Sequence, residues 1–264
     1  MLTTLIELPT YAIFLFFIAF AIILYSAGYG ALRYLSRHAK HDIFSIPAPA
    51  FLGTIATAWA LSMGFVAADA WSLNSRADFS VSKERSAIHR LLDTASPMVL
   101  DNKELKTAVL NYRTIVIDDE WGQQNNTVST LDVDRAILGI RAIVQKIALS
   151  GLPGPIVSQL VNDFDELQDA RNERLAVASS SIDESKWYLV LFLTLLTAIT
   201  IAAVHADRPL AGKRALFLYV LTGTISLWIL ANHANPYVGM GDLKPDLLFS
   251  AQRHSPAPTQ PAGS

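Results

Sequence analysis

Four uncharged apolar runs flank one polar stretch of more than a hundred residues, and this layout leaves the chain few folds to adopt. The runs cover residues 8–32, 43–68, 187–204 and 215–231. A helix needs roughly 20 apolar residues to cross a hydrocarbon core of about 30 Å. The first two runs exceed that length. The last two fall slightly short, but Lys186 and Arg214 stand at their ends, where long side chains snorkel to the interface. Each run must be a complete helix, because lipid leaves bare peptide groups unsatisfied. The expected fold class is therefore all-α: an integral membrane protein with four transmembrane helices and a helical-bundle insert between spans two and three. Residues 1–70 form a first transmembrane hairpin (spans about 8–32 and 46–70), and 71–186 an extramembrane four-helix bundle. Residues 187–232 form a second hairpin (spans about 187–205 and 214–232). Residues 233–264 are a C-terminal tail, expected to be disordered from about 254 because it is rich in Pro, Ala and Ser and poor in apolar bulk.

Composition narrows the function classes. Charged residues are only 17% of the chain, and the net charge of −2 offers no basic face for nucleic acid. There is no cysteine, which excludes disulfides, thiolate nucleophiles and Cys-ligated metals. The first run is too long for a secretory signal peptide and no basic residue precedes it, so a retained span is expected.

Tyr25, Tyr29 and Tyr34 mark the end of span one as interfacial anchors, and a short basic loop with Arg33, Arg37, His38, Lys40 and His41 follows. Pro47 and Pro49 suit the first turn of span two, where a missing N–H costs nothing. Span two is rich in small residues, which let helices approach closely in a bilayer. It is expected to be an inner, helix-contacting span, with Thr54, Thr57, Leu61, Gly64 and Ala68 as candidate pore-lining residues. Span one is expected to face lipid.

The insert shows apolar steps of four and three and no alternating strand pattern. Span two runs on to about Ala95. A second helix covers about 101–121, with Leu105, Val109, Tyr112 and Val116 on its seam; a third covers 131–150. A fourth starts near Ile156 and meets no breaker until beyond Lys186, so it is expected to continue into span three. Four such helices predict a bundle standing rigidly on the membrane. Extending the seams places four charges on inward positions: Glu84, Asp119, Arg171 and Arg174. Glu84 lies 15 residues past Asp69 and Arg174 lies 13 before Trp187, so both stand roughly 20 Å from the membrane at about 1.5 Å per residue. A buried pair between Glu84 and Arg174 or Arg171 is expected, with Asp119 as a third member. Such charges either fix helix register or line an ion pathway.

Other constellations are weaker. His38, His41 and Asp42 could touch one metal but read better as a solvated loop. Asp118, Asp119 and Glu120 sit at a helix C-terminus, where the dipole disfavours negative charge, so a solvated edge or an arginine partner outweighs a cation site. Asn125-Asn126-Thr127 fits a glycosylation sequon that is common by chance. No cofactor, metal site or catalytic constellation is expected, and the chain does not read as an enzyme. No span carries a charge at its centre, which argues against a coupled transporter and allows a passive pore.

Several local patterns together resemble the bestrophin-like membrane-protein family of unknown function, itself distantly similar to bestrophin anion channels. The patterns are Gly64-Phe65-Val66 through Trp71 to Glu84, Tyr112 with Asp118-Asp119-Glu120-Trp121, and Arg171-x-x-Arg174-Leu175 followed by Trp187. The last is Asn235-Pro236-Tyr237-Val238-Gly239, where the family usually has Asp-x-Pro-Phe-x-Gly; Asn235 and Tyr237 depart from it. The resemblance spans about residues 8–250. Bestrophins are homopentameric anion channels with four membrane segments and a helical body. The resemblance thus implies a homo-oligomeric ion channel, pentameric by resemblance only, with small inorganic ions and membrane lipid as partners. The resemblance assigns neither the bestrophin pore constriction nor its calcium clasp to particular residues here. The competing reading is a non-conducting membrane scaffold, partner subunit or sensor module that presents the bundle.

A multi-pass protein of a bacterial inner membrane is expected. Short basic loops face the cytoplasm. Arg33, Arg37 and Lys40 in loop one, with Arg208, Lys213 and Arg214 in loop three, place the bundle and both termini on the non-cytoplasmic side. The bestrophin resemblance implies the opposite side.

Overall fold

Every regular element among the described residues is helical, as a chain of apolar runs and steps of four and three demands. The computed structural model describes residues 10–38, 49–121, 126–180, 182–237 and 243–248. Helix α1 covers Thr10–His38 and α2 covers Pro49–Thr94. Helix α3, Lys103–Ile115, passes directly into a π-helical turn, Val116–Trp121. Then come α4 (Leu131–Ala148), α5 (Gly154–Ser179), α6 (Glu184–Val204) and α7 (Pro209–Asn232). A single 3-10 turn follows at Pro245–Leu248. Four helical stretches are long and apolar enough to cross a membrane; they lie in α1, α2, α6 and α7.

The described residues fall into two compact units. One lies within Met1–Ala77 and Val177–Asp242, the other within Asp78–Ala176 and Leu243–Ser264. Helix α2 contributes to both.

In the apolar unit, α1 packs against α6 and α7. One apolar cluster gathers Phe17, Val66, Val190 and Leu227, and a second gathers Leu24, Ala198, Leu216 and Val220. Two glycines bring α1 and α7 into close approach. A Cβ on Gly28 would stand 2.8 Å from a Leu216 methyl, and one on Gly212 would stand 2.8 Å from the His205 Cβ and 3.0 Å from a Leu32 methyl. Some polar groups inside the unit pair across helices, where lipid offers no substitute partner. The Trp59 indole donates to Thr194 Oγ1 at 2.8 Å, and the Tyr219 hydroxyl donates to the Thr194 carbonyl at 3.1 Å. At the polar end, Lys186 Nζ meets Asp69 at 2.5 Å, and Asn74 donates to the His233 carbonyl at 2.7 Å.

In the polar unit, buried side chains follow the seams: Val81, Ile88 and Leu91 on α2, Leu105 and Val109 on α3, Ile140 and Val144 on α4, Leu160, Phe164 and Leu167 on α5. Ion pairs tie their flanks. Arg90 of α2 binds Asp163 at 2.6 Å and also Glu166 of α5, while Lys146 of α4 reaches Glu104 of α3 at 2.9 Å.

The structure differs from the sequence expectation in three places. The fourth insert helix does not run on into span three. Helix α5 stops at Ser179, and α6 opens at Glu184 behind Asp183, whose carboxylate accepts from the Ser185 amide at 2.9 Å. Serine and aspartate offer the backbone capping bonds that compete with helix, so the stop needs neither Gly nor Pro. The second insert helix covers the expected range but changes its winding at Val116. Finally, span two touches its neighbours but is the least buried of the four within one chain. Only 6% of its most apolar stretch is buried, against 22% for α1 and 39% for α7.

Gly212→Ala should destabilise the apolar unit by about 1–3 kcal/mol, the usual cost of overpacking a filled contact. Thermal unfolding in detergent should show it, whereas Gly30→Ala, which meets nothing within 4 Å, should leave the midpoint in place.

Candidate functional site

The most charged interior of the molecule is built around Arg174. Helix α5 turns Leu160, Phe164, Leu167, Arg171 and Arg174 inward at helical spacing, so two guanidinium groups follow an apolar stripe into the core. Arg174 is fully buried. Its Nε donates to Glu84 Oε2 at 2.6 Å and its Nη2 to Glu120 Oε2 at 2.7 Å; its Nη1 donates to the Asn126 side-chain oxygen. Its guanidinium carbon lies 5.8 Å from the centre of the Trp121 ring, within cation–π range. The Tyr112 hydroxyl closes the far side by donating to Glu84 Oε1 at 2.7 Å. One turn away, Arg171 also binds Glu120, with its Nε at 3.0 Å from Oε1, and reaches Asp134 at 2.8 Å and Ser129 at 3.0 Å. The carboxylates of Glu84 and Glu120 are 0% exposed, and Asp134 forms the rim.

Two buried arginines thus face two buried carboxylates, with a third at the edge. Burial alone would lower the Arg174 pKa, but the charge and hydrogen bonds of Glu84, with Glu120 beside it, raise it above the ordinary value. Arg171 is likewise raised, Glu120 overcoming the effect of burial. At Asp134 the hydrogen bonds from Ser129 and Arg171 outweigh partial burial and lower the pKa. Tyr112 moves well above the usual tyrosine range, first because it is buried and then because the Glu84 charge opposes a second negative charge beside it. Arg174, Arg171, Asp134 and Tyr112 thus keep one protonation state over the physiological range. Glu84, Glu120 and Arg174 have no solvent-exposed face, and the network reaches solvent at Asp134.

Asp119 stands elsewhere. Continuing α3 in ideal α geometry from Val116 allows either residue 119 or residue 120 to face inward. The π turn advances more residues per turn, so Glu120 and Trp121 take the inward positions. Asp119 is half-buried and lines an open recess of about 590 Å³ between α3 and α4 with Asn111, Asp118, Asp132 and Arg135. The acidic triplet is therefore split: Glu120 binds arginine, and its two neighbours line the recess. Asn126, Ser129 and Asp134 had no seam position to announce them. Asn126 sits at φ 60°, in the left-handed region that asparagine tolerates better than most residues. Its amide N–H donates to the Glu120 carbonyl at 2.7 Å, so the turn is fixed to the site by main chain and side chain alike.

The candidate pore-lining residues share one face of α2. Thr54, Thr57, Leu61, Gly64 and Ala68 advance by three and four, and each is exposed. The Thr57 hydroxyl donates back to the Gly53 carbonyl at 2.8 Å, so this polar group is satisfied within its own helix. Trp71 continues the exposed surface of α2. After α7, Asn235 Oδ1 accepts from the Tyr237 amide at 2.9 Å across Pro236, and the Tyr237 ring is buried. Gly239, His41, Asp42, Asn125 and the side chain of His38 lie outside the described residues. Among the described residues, no group of three or more His, Cys, Asp or Glu side chains could hold a metal ion.

Motifs far apart in sequence thus meet at one cluster, Tyr112 and Glu120-Trp121 on one side and Arg171-x-x-Arg174 on the other. A family model described as the bestrophin-like domain matches residues 16–247, and the chain belongs to that family. No curated protein sequence matches it. Its fold is similar to that of a bacterial bestrophin homologue from Klebsiella pneumoniae. One single-substitution variant of that protein is 12% identical, with 86% of this chain and 92% of that chain covered at a TM-score of 0.70. Another is 13% identical, with 86% and 96% covered at 0.66. A further structure of the homologue, solved through zinc phasing, is 13% identical, with 86% and 92% covered at 0.64.

Removing the Arg174 charge should leave Glu84 and Glu120 buried without their cation. Arg174→Ala should cost about 3–5 kcal/mol of stability, read by denaturant or thermal unfolding in detergent. Tyr112 adds a pH dependence. In the unfolded chain its hydroxyl ionises near pH 10, while in the folded chain it keeps its proton, so unfolding releases a proton above that pH. Stability should therefore fall as pH rises past about 10, by up to about 1.4 kcal/mol per unit. Tyr112→Phe should flatten that component, which unfolding curves at pH 9 and 11 would show.

Proposed function

We propose that the chain is a homo-oligomeric ion channel, conducting anions, in which the exposed small-residue face of α2 lines the pore. Membership of the bestrophin-like family supports a channel. The observation that carries the assignment of α2 is its bareness: of the four membrane-spanning helices it is the least buried, on a face of small residues and hydroxyls. Small residues permit close packing around an axis, and hydroxyls and backbone are the groups a passive pore without intramembrane charge would use. The Glu84–Arg174–Glu120 network is architecture in this reading, because its closure to solvent keeps it off any ion path. A pentameric assembly rests on the bestrophin resemblance.

Halide flux through the purified protein in liposomes tests the reading. Wild type should conduct. Thr57→Cys should form disulfides between copies, and its modification by a charged thiol reagent should abolish flux, while the same treatment of Leu218→Cys, exposed on α7, should not. Folded oligomers without flux would instead favour a non-conducting scaffold or partner subunit.

The distribution of lysine and arginine favours short loops in the cytoplasm and the polar unit outside. The chain has no native cysteine, so a single Leu149→Cys, on a fully accessible turn, reports the side directly. Labelling of intact cells by an impermeant thiol reagent is expected; labelling only after lysis would place the polar unit in the cytoplasm, as bestrophins imply.

A further inference from the structure

We propose that the groove between α1 and α7 is a binding site for one anionic phospholipid. The groove has a volume of about 380 Å³ and is lined by Ala21, Ile22, Tyr25, Ser26, Phe217 and Leu221. It exists because α1 and α7 are drawn together at Gly28 and Gly212, while Ala21 and Ser26 are too small to fill the space below. Ile22 is 62% exposed and Phe217 55% exposed, so the lining is apolar surface that nothing among the described residues covers.

Both helices carry the same order of chemistry along the groove. On α1, Ile22 is followed at helical spacing by Tyr25, Tyr29 and Arg33. On α7, read towards the same end, Leu221 is followed by Phe217 and Lys213. Aliphatic side chains thus give way to aromatic rings and then to cations. Tyr25 stacks on Tyr29 and meets Phe217 edge-on, with ring centres 6.3 and 6.5 Å apart. Lys213 Nζ is held 5.7 Å above the Tyr29 ring, which positions its charge at the mouth of the groove. From Ile22 to Arg33 the distance along α1 is about 16 Å at 1.5 Å per residue, close to the roughly 15 Å depth of one leaflet. An acyl chain in the aliphatic section would therefore bring its glycerol to the tyrosines and its phosphate to Lys213 and Arg33. The charge at the mouth selects an anionic headgroup over a zwitterionic one. The site lies wholly within the apolar unit and does not depend on whether the chain conducts.

The test titrates the full-length protein in detergent with phosphatidylglycerol and phosphatidylcholine of matched acyl chains, read by native mass spectrometry. Wild type should retain phosphatidylglycerol preferentially. The Lys213→Gln, Arg33→Gln variant, altered only on the surface, should lose about fivefold in that preference per charge removed and keep its binding of phosphatidylcholine. Ala21→Phe, which fills the groove, should weaken both lipids with the oligomeric state unchanged. Equal binding of the two lipids by wild type, or lipid binding unaltered by Ala21→Phe, would overturn the proposal. Dissociation of the oligomer by Ala21→Phe would overturn it too, by making the groove a subunit interface. Displacement of the lipid by millimolar inorganic phosphate would do the same, by showing that only charge is recognised.

Discussion

The guanidinium of Arg174 sets the terms for the polar unit. A charge taken wholly out of water is tolerated only when its donors are met by acceptors of opposite sign. Meeting them brings Glu84 from α2, Glu120 from the π turn and Asn126 from the following turn to one point. Each recruitment constrains a different piece of backbone. Glu84 fixes the register of α2 against α5. Glu120 requires the change of winding after Ile115, and Asn126 holds a left-handed residue in place. An apolar core tolerates sliding by a fraction of a turn. A fully bonded arginine does not, because each donor has a direction as well as a distance.

The apolar unit follows another rule. Its helices need no charge to pair, and contact is governed by how closely backbones can come. Gly28 and Gly212 set that distance between α1 and α7, and hydrogen bonds such as Trp59 to Thr194 join helices inside the unit. Helix α2 carries small residues and hydroxyls on a surface that no helix among the described residues covers. Its free face is the one proposed to line a pore, and the charged network is proposed to serve position.

The four spans and the helical character of the insert were legible because both depend on repetition: runs of apolar residues and steps of three and four. The inward placement of Glu84, Arg171 and Arg174 was legible for the same reason. Asp119 shows where periodicity fails. An α-helix leaves residues 119 and 120 both open one turn on from Val116, a π turn selects Glu120, and nothing in the composition of the triplet announces that turn. The stop at Ser179 was hidden because its signal is a short run of hydroxyls before Asp183, a capping preference that lacks the force of Gly or Pro. Asn126, Ser129 and Asp134 lie in or after a turn, outside any periodic seam, so only the folded chain brings them to Arg171 and Arg174.

Sequence by itself determined that the chain is all-helical, that four stretches can cross a membrane, and that opposite charges point into the polar unit. These follow from local spacing and from the cost of exposing peptide groups to lipid. Tertiary structure alone decided which carboxylate meets which arginine, where α5 ends, and that span two keeps an open face. Those outcomes rest on contacts between residues far apart along the chain, where a fraction of a helical turn changes which side chain arrives.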